Sequence, residues 1–581
     1  MTPLGPRWDT LSCDAAAATR LAAALNVPPI IARLLCLRGL DDPERALRFL
    51  NPALDHLHDP LLLADMRIAV DRIMSAIVAR ERIAIHGDYD VDGVTSTVIV
   101  RRALEMLGAD VIHFIPERLR DGYGLQAAAI DRLKADGVHV VVSVDCGIRG
   151  AEAARRARDV GIDLIITDHH EPDAVLPPAF AVINPKRHDC GYPDKYLAGV
   201  GVALKLVQAL CRAAGRESWL PGFIKVAAIG TLADVVPLVG ENRVIAKIGL
   251  DLLSRGPNKI GLRSLLDVAG LKGKTIDSYH VAFLLAPRVN AAGRMSSPEI
   301  ATRLLLAADE AMAEEVRQLA MVLDSENIRR QQEEAEILAA ARKIVTTDPD
   351  VGARSVLVVA GEGWHRGVIG IVASKLVDAF HRPAIVISVE DDVAQGSCRS
   401  IPAFDMLGAL EQCAPMFIRF GGHKQAAGLS LEAARINEFR VAVNAIADER
   451  LSPDDLMPRL RIDDDLTFRG ITGAVTAAVT SLAPFGAGNP RPVFAARGVE
   501  IIDGPRVLKD RHLKMALRQD GRIFRAIAWR AAERHTYLTE HKAAVDVAFS
   551  LEANEYNGES FVELTLADLR HSGCAYGSAS T

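Results

Sequence analysis

Residues 83–96 read IAIHGDYDVDGVTS, and the fold turns on this stretch. An apolar strand comes first, and Asp88, Asp90 and Asp92 follow it two apart. In an extended segment, residues i, i+2 and i+4 face the same way, so the spacing predicts carboxylates converging on one side. Their mutual repulsion calls for a cation. D-x-D-x-D-G also opens a calcium-binding EF-hand loop. That reading fails because the twelfth position from Asp88 is Ile99, where a bidentate Glu is required, and because a strand precedes the motif. A surface loop would tolerate the same letters, so the choice rests on what lies around them.

Upstream, the pattern of 66–79 predicts a helix, and downstream a second helix is expected through about 95–107. Apolar strands are expected at 83–86, 111–115, 138–144, 163–167 and 181–183, with helical segments between most of them. Strands spaced this way imply right-handed βαβ crossovers and therefore an α/β fold with a doubly wound parallel sheet. Two more strands end as the first does. VVVSVDCG (140–147) delivers Asp145, and IDLIITDHH (162–170) delivers Asp168, His169 and His170. One terminal Asp is commonly a helix cap, but three such ends match the edge at which open α/β sheets bind ligands. AAIGTLADVVPL (227–238) adds Asp234, an acid within an apolar segment that needs a partner if buried. Aspartate mixed with imidazole, without thiolate, suits Mn²⁺ or Mg²⁺ better than structural zinc. Two such ions about 3.5–4 Å apart would serve phosphoester hydrolysis.

In order and spacing, HGDYDVDG, VDCG, DHH and GTLADVVPL resemble the metal-site motifs of the DHH phosphoesterases. The resemblance implies Asp90, Asp92, Asp145, His169 and Asp234 as ligands of two ions, with Asp145 shared and His86 as a further metal contact. It implies Asp88 and His170 as catalytic groups beside them. GWHRGVIGIVASKL (363–376), GSCRS (396–400) and GGHKQAAGLS (421–430) are similar to the DHH-associated domain. IPERLRDGYGL (115–125), AGVGVALKL (198–206), PRVNAAGRM (287–295) and LAPFGAGNPRPVF (482–494) are similar to the branch of that superfamily that degrades single-stranded DNA 5′→3′. The likeness runs over about residues 30–570. It implies a metal-dependent exonuclease of DNA repair and recombination, acting as a monomer; the lack of a signal-peptide core in MTPLGPRWDT and of a membrane span leads to the expectation of a cytoplasmic setting. Its expected partners are single-stranded DNA, a single-strand-binding protein and a RecQ-like helicase.

The expected organisation is a helical lead-in (1–65), a DHH domain (66–235), a helical insert with a long connecting helix (236–345), a second α/β domain (346–455), an OB-fold barrel (456–570) and a disordered tail (571–581). Gly421, Gly422 and His423 read as a glycine-rich turn that lets backbone approach phosphate. Ser397 and Arg399 pair a hydroxyl with a fork donor suited to a terminal phosphate, with Arg118 and Arg294 as further contacts. Any one of these arginines, seen alone, is an ordinary surface residue. Between 501 and 535 there are nine Lys or Arg against four Asp or Glu, interleaved with Phe524 and Trp529. Short strands with this charge suit an OB fold that holds single strands, and Asn557-Gly558 marks a hairpin.

The full chain has 581 residues, a net charge of −6, 49% hydrophobic and 24% charged residues, which fits three or four globular units. An acidic balance argues against coating nucleic acid by bulk charge, though not against a local basic channel. No apolar run reaches the roughly 18–20 residues of a membrane span. Eight cysteines without a C-x-x-C pair indicate neither a zinc knuckle nor a disulfide framework, and Cys146 reads as a small buried residue. Two alternatives stay open. One is a small-substrate DHH enzyme (oligoribonuclease, nucleotide phosphatase or cyclic-dinucleotide phosphodiesterase), against which the long insert and barrel speak. The other is a non-catalytic DHH scaffold, against which the intact ligand set speaks.

Overall fold

Four residues, β1 (Arg7–Thr10), precede three short helices, α1 (Ala15–Leu25), α2 (Pro29–Cys36) and α3 (Pro43–Leu50). Asp14 and Asp42 cap α1 and α3 by accepting the Ala16 and Arg45 N–H groups, and proline stands at the start of α2 and α3, where its missing N–H costs nothing. The structure is a computed structural model and describes residues 5–572 except 118, 119, 121, 123, 258, 541–544, 557 and 558. The expected turn at Asn557-Gly558, the contact at Arg118 and the tail from 573 onward lie outside the described residues.

The next elements are α4 (Met66–Ala79), β2 (Arg82–His86), α5 (Val91–Met106), β3 (Val111–Phe114), α6 (Ala127–Ala135), β4 (Val138–Val144), α7 (Ala151–Asp159), β5 (Asp163–Thr167) and β6 (Ala181–Ile183). These strands form a five-stranded sheet in the order β3-β2-β4-β5-β6, parallel throughout. Alternate residues serve opposite faces. Ile83, Ile85, Val140, Val142 and Ile165 pack against α4, α5, α8 (Gly199–Ala213) and α9 (Leu220–Ala233). Ala84, Val141, Leu164 and Ile166 pack against α6 and α7. Burial on both faces explains why the strands read as continuous apolar runs. The sheet is thus doubly wound, and its winding reverses between β2 and β4, which opens a crevice at their C-terminal ends.

Then follow α10 (Gly240–Ser254), α11 (Ile260–Val268), α12 (Ala286–Met295), α13 (Glu299–Leu306) and the 35-residue α14 (Ala313–Thr347), the long charged helix expected from sequence. No helix among the described residues is long and apolar enough to cross a membrane. The chain divides into two compact units, one of Met1–Asn290, Pro298–Ala320 and Arg459–Thr581, the other of Ala291–Ser297 and Met321–Pro458.

The second unit continues through α15 (Pro349–Gly352), β7 (Leu357–Glu362), α16 (Ile369–Phe380), β8 (Ala384–Glu390), β9 (Val393–Arg399), α17 (Met406–Gln412), β10 (Phe417–His423), β11 (Ala426–Glu432) and α18 (Ile436–Arg450). Its sheet runs β10-β11-β9-β8-β7, with β7 and β8 parallel and the other pairs antiparallel. α16 buries Val372 and Leu376 with Leu357, Val359 and Val386 on one face, while Phe439 and Val443 of α18 share the other core with Val358 and Ile387.

The first unit resumes with β12 (Arg459–Ile462), β13 (Asp464–Asp465), α19 (Gly473–Thr480), β14 (Phe494–Leu508), β15 (His512–Gln519), β16 (Arg522–Ala528), α20 (His535–Glu540), β17 (Val545–Tyr556) and β18 (Glu559–His571). Strands β14-β15-β16-β18-β17 close into a five-stranded barrel through the β14–β17 pair, with β16 and β18 parallel, as expected of an OB fold. The helical lead-in is not self-contained. Leu21, Leu34, Leu35 and Phe49 share one core with Phe468, Phe494 and Phe549, and β1 pairs with β12.

Candidate metal centre

The site grows from the C-terminal ends of β2, β4 and β5. After β2 the backbone does not stay extended. Asp90 is the N-cap of α5, its Oδ1 accepting the Gly93 N–H at 3.0 Å, so Asp92 lies in the first helical turn. The sequence reading of one extended row of three carboxylates is corrected on this point: the cap turns the chain after Asp90 and sends Asp92 to a different partner set. Gly93 allows that turn, since a Cβ there would lie 2.5 Å from the Asp88 carbonyl oxygen. Asp145 follows β4 with a positive φ of 58°, and Asp168, His169 and His170 follow β5. Asp234 stands at the C-terminal end of α9.

Ligand atoms converge within 4.8 Å of one another in three overlapping groups: Asp88, Asp90 and Asp145; Asp92, His169 and Asp234; and Asp145, His169 and His170. Asp145 belongs to two of them, and so does His169. The His169 Nε2 lies 3.2 Å from Asp145 Oδ1, 3.7 Å from Asp234 Oδ2 and 4.0 Å from Asp92 Oδ2. His86 is fully buried but stands outside these groups, with Nδ1 3.6 Å from the Cys146 Sγ.

The electrostatics are those of a cation site. Burial, then the charges of Asp234 and Asp90, pushes the Asp92 carboxyl well above its usual range. Burial, then Asp92 and Asp90, does the same to Asp145. Asp234 is raised to about 7 by burial and Asp90. Burial lowers His86 to about 4, and burial with His170 lowers His169 to about 3, so both imidazoles are neutral near pH 7 with a lone pair to offer. His86 Nε2, Asp145 Oδ1 and His169 Nε2 are buried without a hydrogen-bond partner among the described residues. Crowded buried carboxylates beside bare imidazole nitrogens fit hard divalent ions with oxygen and nitrogen ligands. Burial raises the Cys146 thiol well up, which keeps it neutral and accords with its reading as a small buried residue.

Asp168, which the sequence places beside the histidines, holds them in position. Its carboxylate accepts the N–H groups of Ile148, His169 and His170 at 2.9, 2.7 and 3.0 Å and lies 2.7 Å from His170 Nδ1. Burial opposes protonation of His170, but the Asp168 bond and nearby carboxylates outweigh it and raise its pKa. Other contributors escaped the sequence reading. Gly199 and Val200, at the start of α8, donate their N–H groups to Asp92 Oδ2 and Oδ1, each at 2.7 Å. Asn290 Oδ1 accepts the Val91 N–H at 3.2 Å. A Cβ on Gly199 would meet Asp145 Oδ1 at 2.3 Å, and one on Gly230 would lie 3.0 Å from Asp92 Oδ1. Their segments, AGVGVALKL (198–206), GTLADVVPL (230–238) and PRVNAAGRM (287–295), carry the family likeness, but no residue type in them marks these contacts.

In the second unit, Arg294, Ser397 and Arg399 gather near the start of α16. Arg294 Nη1 donates to Gly367 O at 3.0 Å, and Arg399 Nη1 donates to Ser397 Oγ at 3.3 Å and Cys398 O at 2.8 Å. A Cβ on Gly370 would lie 2.9 Å from Ser397 Oγ and 3.2 Å from Arg399 Nη2. A helix N-terminus, a fork donor and a hydroxyl together suit an anion. Gly421, Gly422 and His423 do not form the turn expected of them. They end strand β10, and the turn is Lys424-Gln425, because the glycines pair across to Gly428 and Ala427. Gly422 has a φ of 148°, and a Cβ there would lie 2.5 Å from Ala426 O. The hairpin still runs beside β9, with His423 opposite Ala426 and Ala426 opposite Arg399. On the barrel, Trp529 is 55% exposed, whereas Phe524 turns inward, edge-on to Phe468 at 5.3 Å.

A family model described as the DHH family, N-terminal domain, matches residues 82–231; the DHHA1 domain matches 353–449 and the RecJ OB domain 462–568. The chain is 37% identical over 565 residues to the single-stranded-DNA-specific exonuclease RecJ of Bacillus subtilis (strain 168), covering 97% of this chain and 70% of the relative. It is similar to the crystal structure of RecJ in complex with Mn²⁺ from Thermus thermophilus, with 33% identity, a TM-score of 0.83, and coverage of 98% of this chain and 80% of that one. The corresponding Mg²⁺ complex matches at 31% identity with a TM-score of 0.78, covering 98% and 79%.

Proposed function

The chain belongs to the RecJ family of single-stranded-DNA-specific exonucleases, and from that premise we propose that its carboxylate–histidine cluster is a two-metal phosphodiesterase centre that removes nucleotides from the 5′ end of single-stranded DNA, in repair and recombination. The observation that carries the proposal is the overlap of ligand groups at Asp145, buried with a bare Oδ1 among Asp88, Asp90, Asp92 and Asp234. Asp90, Asp92, Asp145, His169 and Asp234 would hold two Mn²⁺ or Mg²⁺ ions, with Asp145 shared and Asp88 and His86 beside them. A divalent pair supplies Lewis-acid charge that activates water and clamps the attacking and leaving oxygens of a phosphoester.

The protein's own groups do the rest. Asp92 is held in place by the amide clamp of α8, which keeps one lone pair of each oxygen engaged and the carboxylate oriented. Asp168 engages His170 Nδ1, which leaves Nε2 to hold a proton toward a scissile phosphate oxygen. Arg294, Ser397 and Arg399 would bind the 5′-terminal phosphate, and the barrel would hold the strand beyond it. A single-strand-binding protein and a RecQ-like helicase as partners, a monomeric state and a cytoplasmic setting stay part of this reading.

Purified protein with Mn²⁺ and strands labelled at either end tests it. A 5′ label should leave first, as mononucleotide, and a duplex of the same sequence should resist. Loss of the 3′ label first, or cleavage of cyclic dinucleotides as fast as of long strands, would refute it.

A further inference from the structure

Resting on the two-metal reading above, we infer that Asn242, eight residues beyond Asp234 and no ligand itself, is a positioning residue that sets the metal affinity of the centre. Asn242 is completely buried in the first turn of α10. Its Oδ1 accepts the Ala198 N–H at 3.3 Å, and its Nδ2 donates to Tyr196 O at 2.5 Å and to Pro237 O at 3.1 Å. Ala198 immediately precedes Gly199 and Val200, whose amides clamp Asp92, and Pro237 stands three residues beyond Asp234. One side chain therefore ties together the two backbone segments that fix two of the carboxylates.

The tie has little slack. Gly199 is packed so closely on Asp145 that an added Cβ would lie 2.3 Å from Oδ1. A shift of 198–200 thus loosens Asp92 and disturbs Asp145 at once. Asn242 is itself anchored by its neighbour Glu241, whose carboxylate accepts from Lys205 Nζ at 2.9 Å and from the Tyr192 hydroxyl at 2.5 Å. Only a side-chain amide supplies one acceptor and two donors here. Aspartate would set an anion against two carbonyls, and alanine would leave three backbone groups unpaired. Groups that orient metal ligands from outside the coordination shell typically change affinity by about 10–100-fold when removed.

The test titrates Mn²⁺ into metal-stripped full-length protein and reads free Mn²⁺ by electron paramagnetic resonance. Asn444→Ala is the matched control. Asn444 is equally buried, accepting the Val356 N–H at 2.8 Å and donating to Val356 O at 3.2 Å and Arg440 O at 3.0 Å, but it lies in the second unit. The parent should take up two Mn²⁺. Asn242→Ala should bind about 10–100-fold more weakly and regain cleavage at high Mn²⁺, whereas Asn444→Ala should lower thermal stability and leave Mn²⁺ uptake unchanged. Parent-like uptake by a folded Asn242→Ala, or equal weakening by Asn444→Ala, overturns the inference. A parent that does not bind two Mn²⁺ overturns the metal reading itself. Should Asn242→Ala fail to fold, hydrogen exchange on the metal-free parent decides. Protected Gly199 and Val200 amides support the pinned clamp, and unprotected ones refute it.

Discussion

The two polar clusters of this protein are opposite in character. The centre at the parallel-sheet edge gathers five carboxylates and imidazoles, mostly buried, with His86 and His169 held neutral and polar atoms left without partners among the described residues. The cluster at the start of α16 gathers arginines and a hydroxyl whose donors already reach backbone oxygens or one another. The first sets buried carboxylates against one another, a repulsion that a cation would offset. The second already has its donors engaged within the protein and would add specificity when an anion binds. Substitutions should therefore act on the first through metal and on the second through substrate alone.

The largest effect is expected from Asp145→Ala. Loss of the proposed shared ligand should cut cleavage by several orders of magnitude, because water activation and charge neutralisation would fail together. Without metal the sign reverses: the variant should melt at a higher temperature than the parent, since a buried carboxylate crowded by others has been removed. The same strain gives a pH dependence. Asp234 loses its proton near its usual 3.8 in the unfolded chain but at about 7 in the metal-free fold, so the folded state carries the extra proton between those values. Stability of the metal-free protein should then fall as pH rises through that window, and saturating Mn²⁺ should flatten the trend. Differential scanning calorimetry across the window measures it. A metal-free protein that gains stability from pH 4 to 7 would contradict the electrostatic account.

Arg399→Ala should show the smaller, substrate-limited effect of the second cluster. Losing one charge-assisted contact costs roughly 1.5–3 kcal/mol, or about ten- to a hundredfold in preference for a 5′-phosphate over a 5′-hydroxyl. Mn²⁺ uptake should not change, and 5′-hydroxyl strands should be cut nearly as before. Equal slowing on both substrates would make Arg399 a general backbone or folding contact and erase the contrast between the clusters.

The sequence disclosed the carboxylate–histidine cluster better than anything around it, for a physical reason. Buried charge permits few residue types, so Asp145, His169 and Asp234 stand out against apolar strands and a helix whose own burial enforces their pattern. The same logic made α4, β4, β5 and β6 legible to the residue. What failed depended on contacts across the chain. The four residues of β1 have no pattern of their own, since their strand exists by pairing with the distant β12, Arg7 opposite Arg459 and Asp9 opposite Arg461. The lead-in helices look amphipathic in isolation, but their apolar faces belong to the barrel core. Gly421-Gly422 imitates a turn, while the true turn is made by Lys424-Gln425. Asn242 carries no local signal because its partners come from two other segments.

The shared core also changes how the barrel can be probed. Deleting 461–581 would strip α1–α3 of their packing, with Phe468, Phe494 and Phe549 gone from beneath Leu21, Leu34 and Phe49, so weakened DNA binding could not be separated from unfolding. Single residues separate them. Trp529 is exposed, edge-on to His512 at 4.7 Å, on a barrel with an excess of basic residues. Phe524, five residues earlier, points into the core. Base–aromatic stacking is worth about 1–3 kcal/mol per base, and one exposed ring among many contacts belongs at the low end. Trp529→Ala should thus weaken binding of long single strands by about fivefold, leave the melting temperature in place and leave Mn²⁺ uptake untouched. Phe524→Ala should do the reverse, lowering the melting temperature through a partly filled core with no specific loss of strand affinity at a temperature where it is folded. Fluorescence anisotropy with long and short oligonucleotides, alongside thermal melts, distinguishes them. If Trp529→Ala affected neither length of strand, the barrel's exposed aromatic would be no part of its grip, and strand retention would rest on phosphate contacts alone, visible as an unchanged salt dependence.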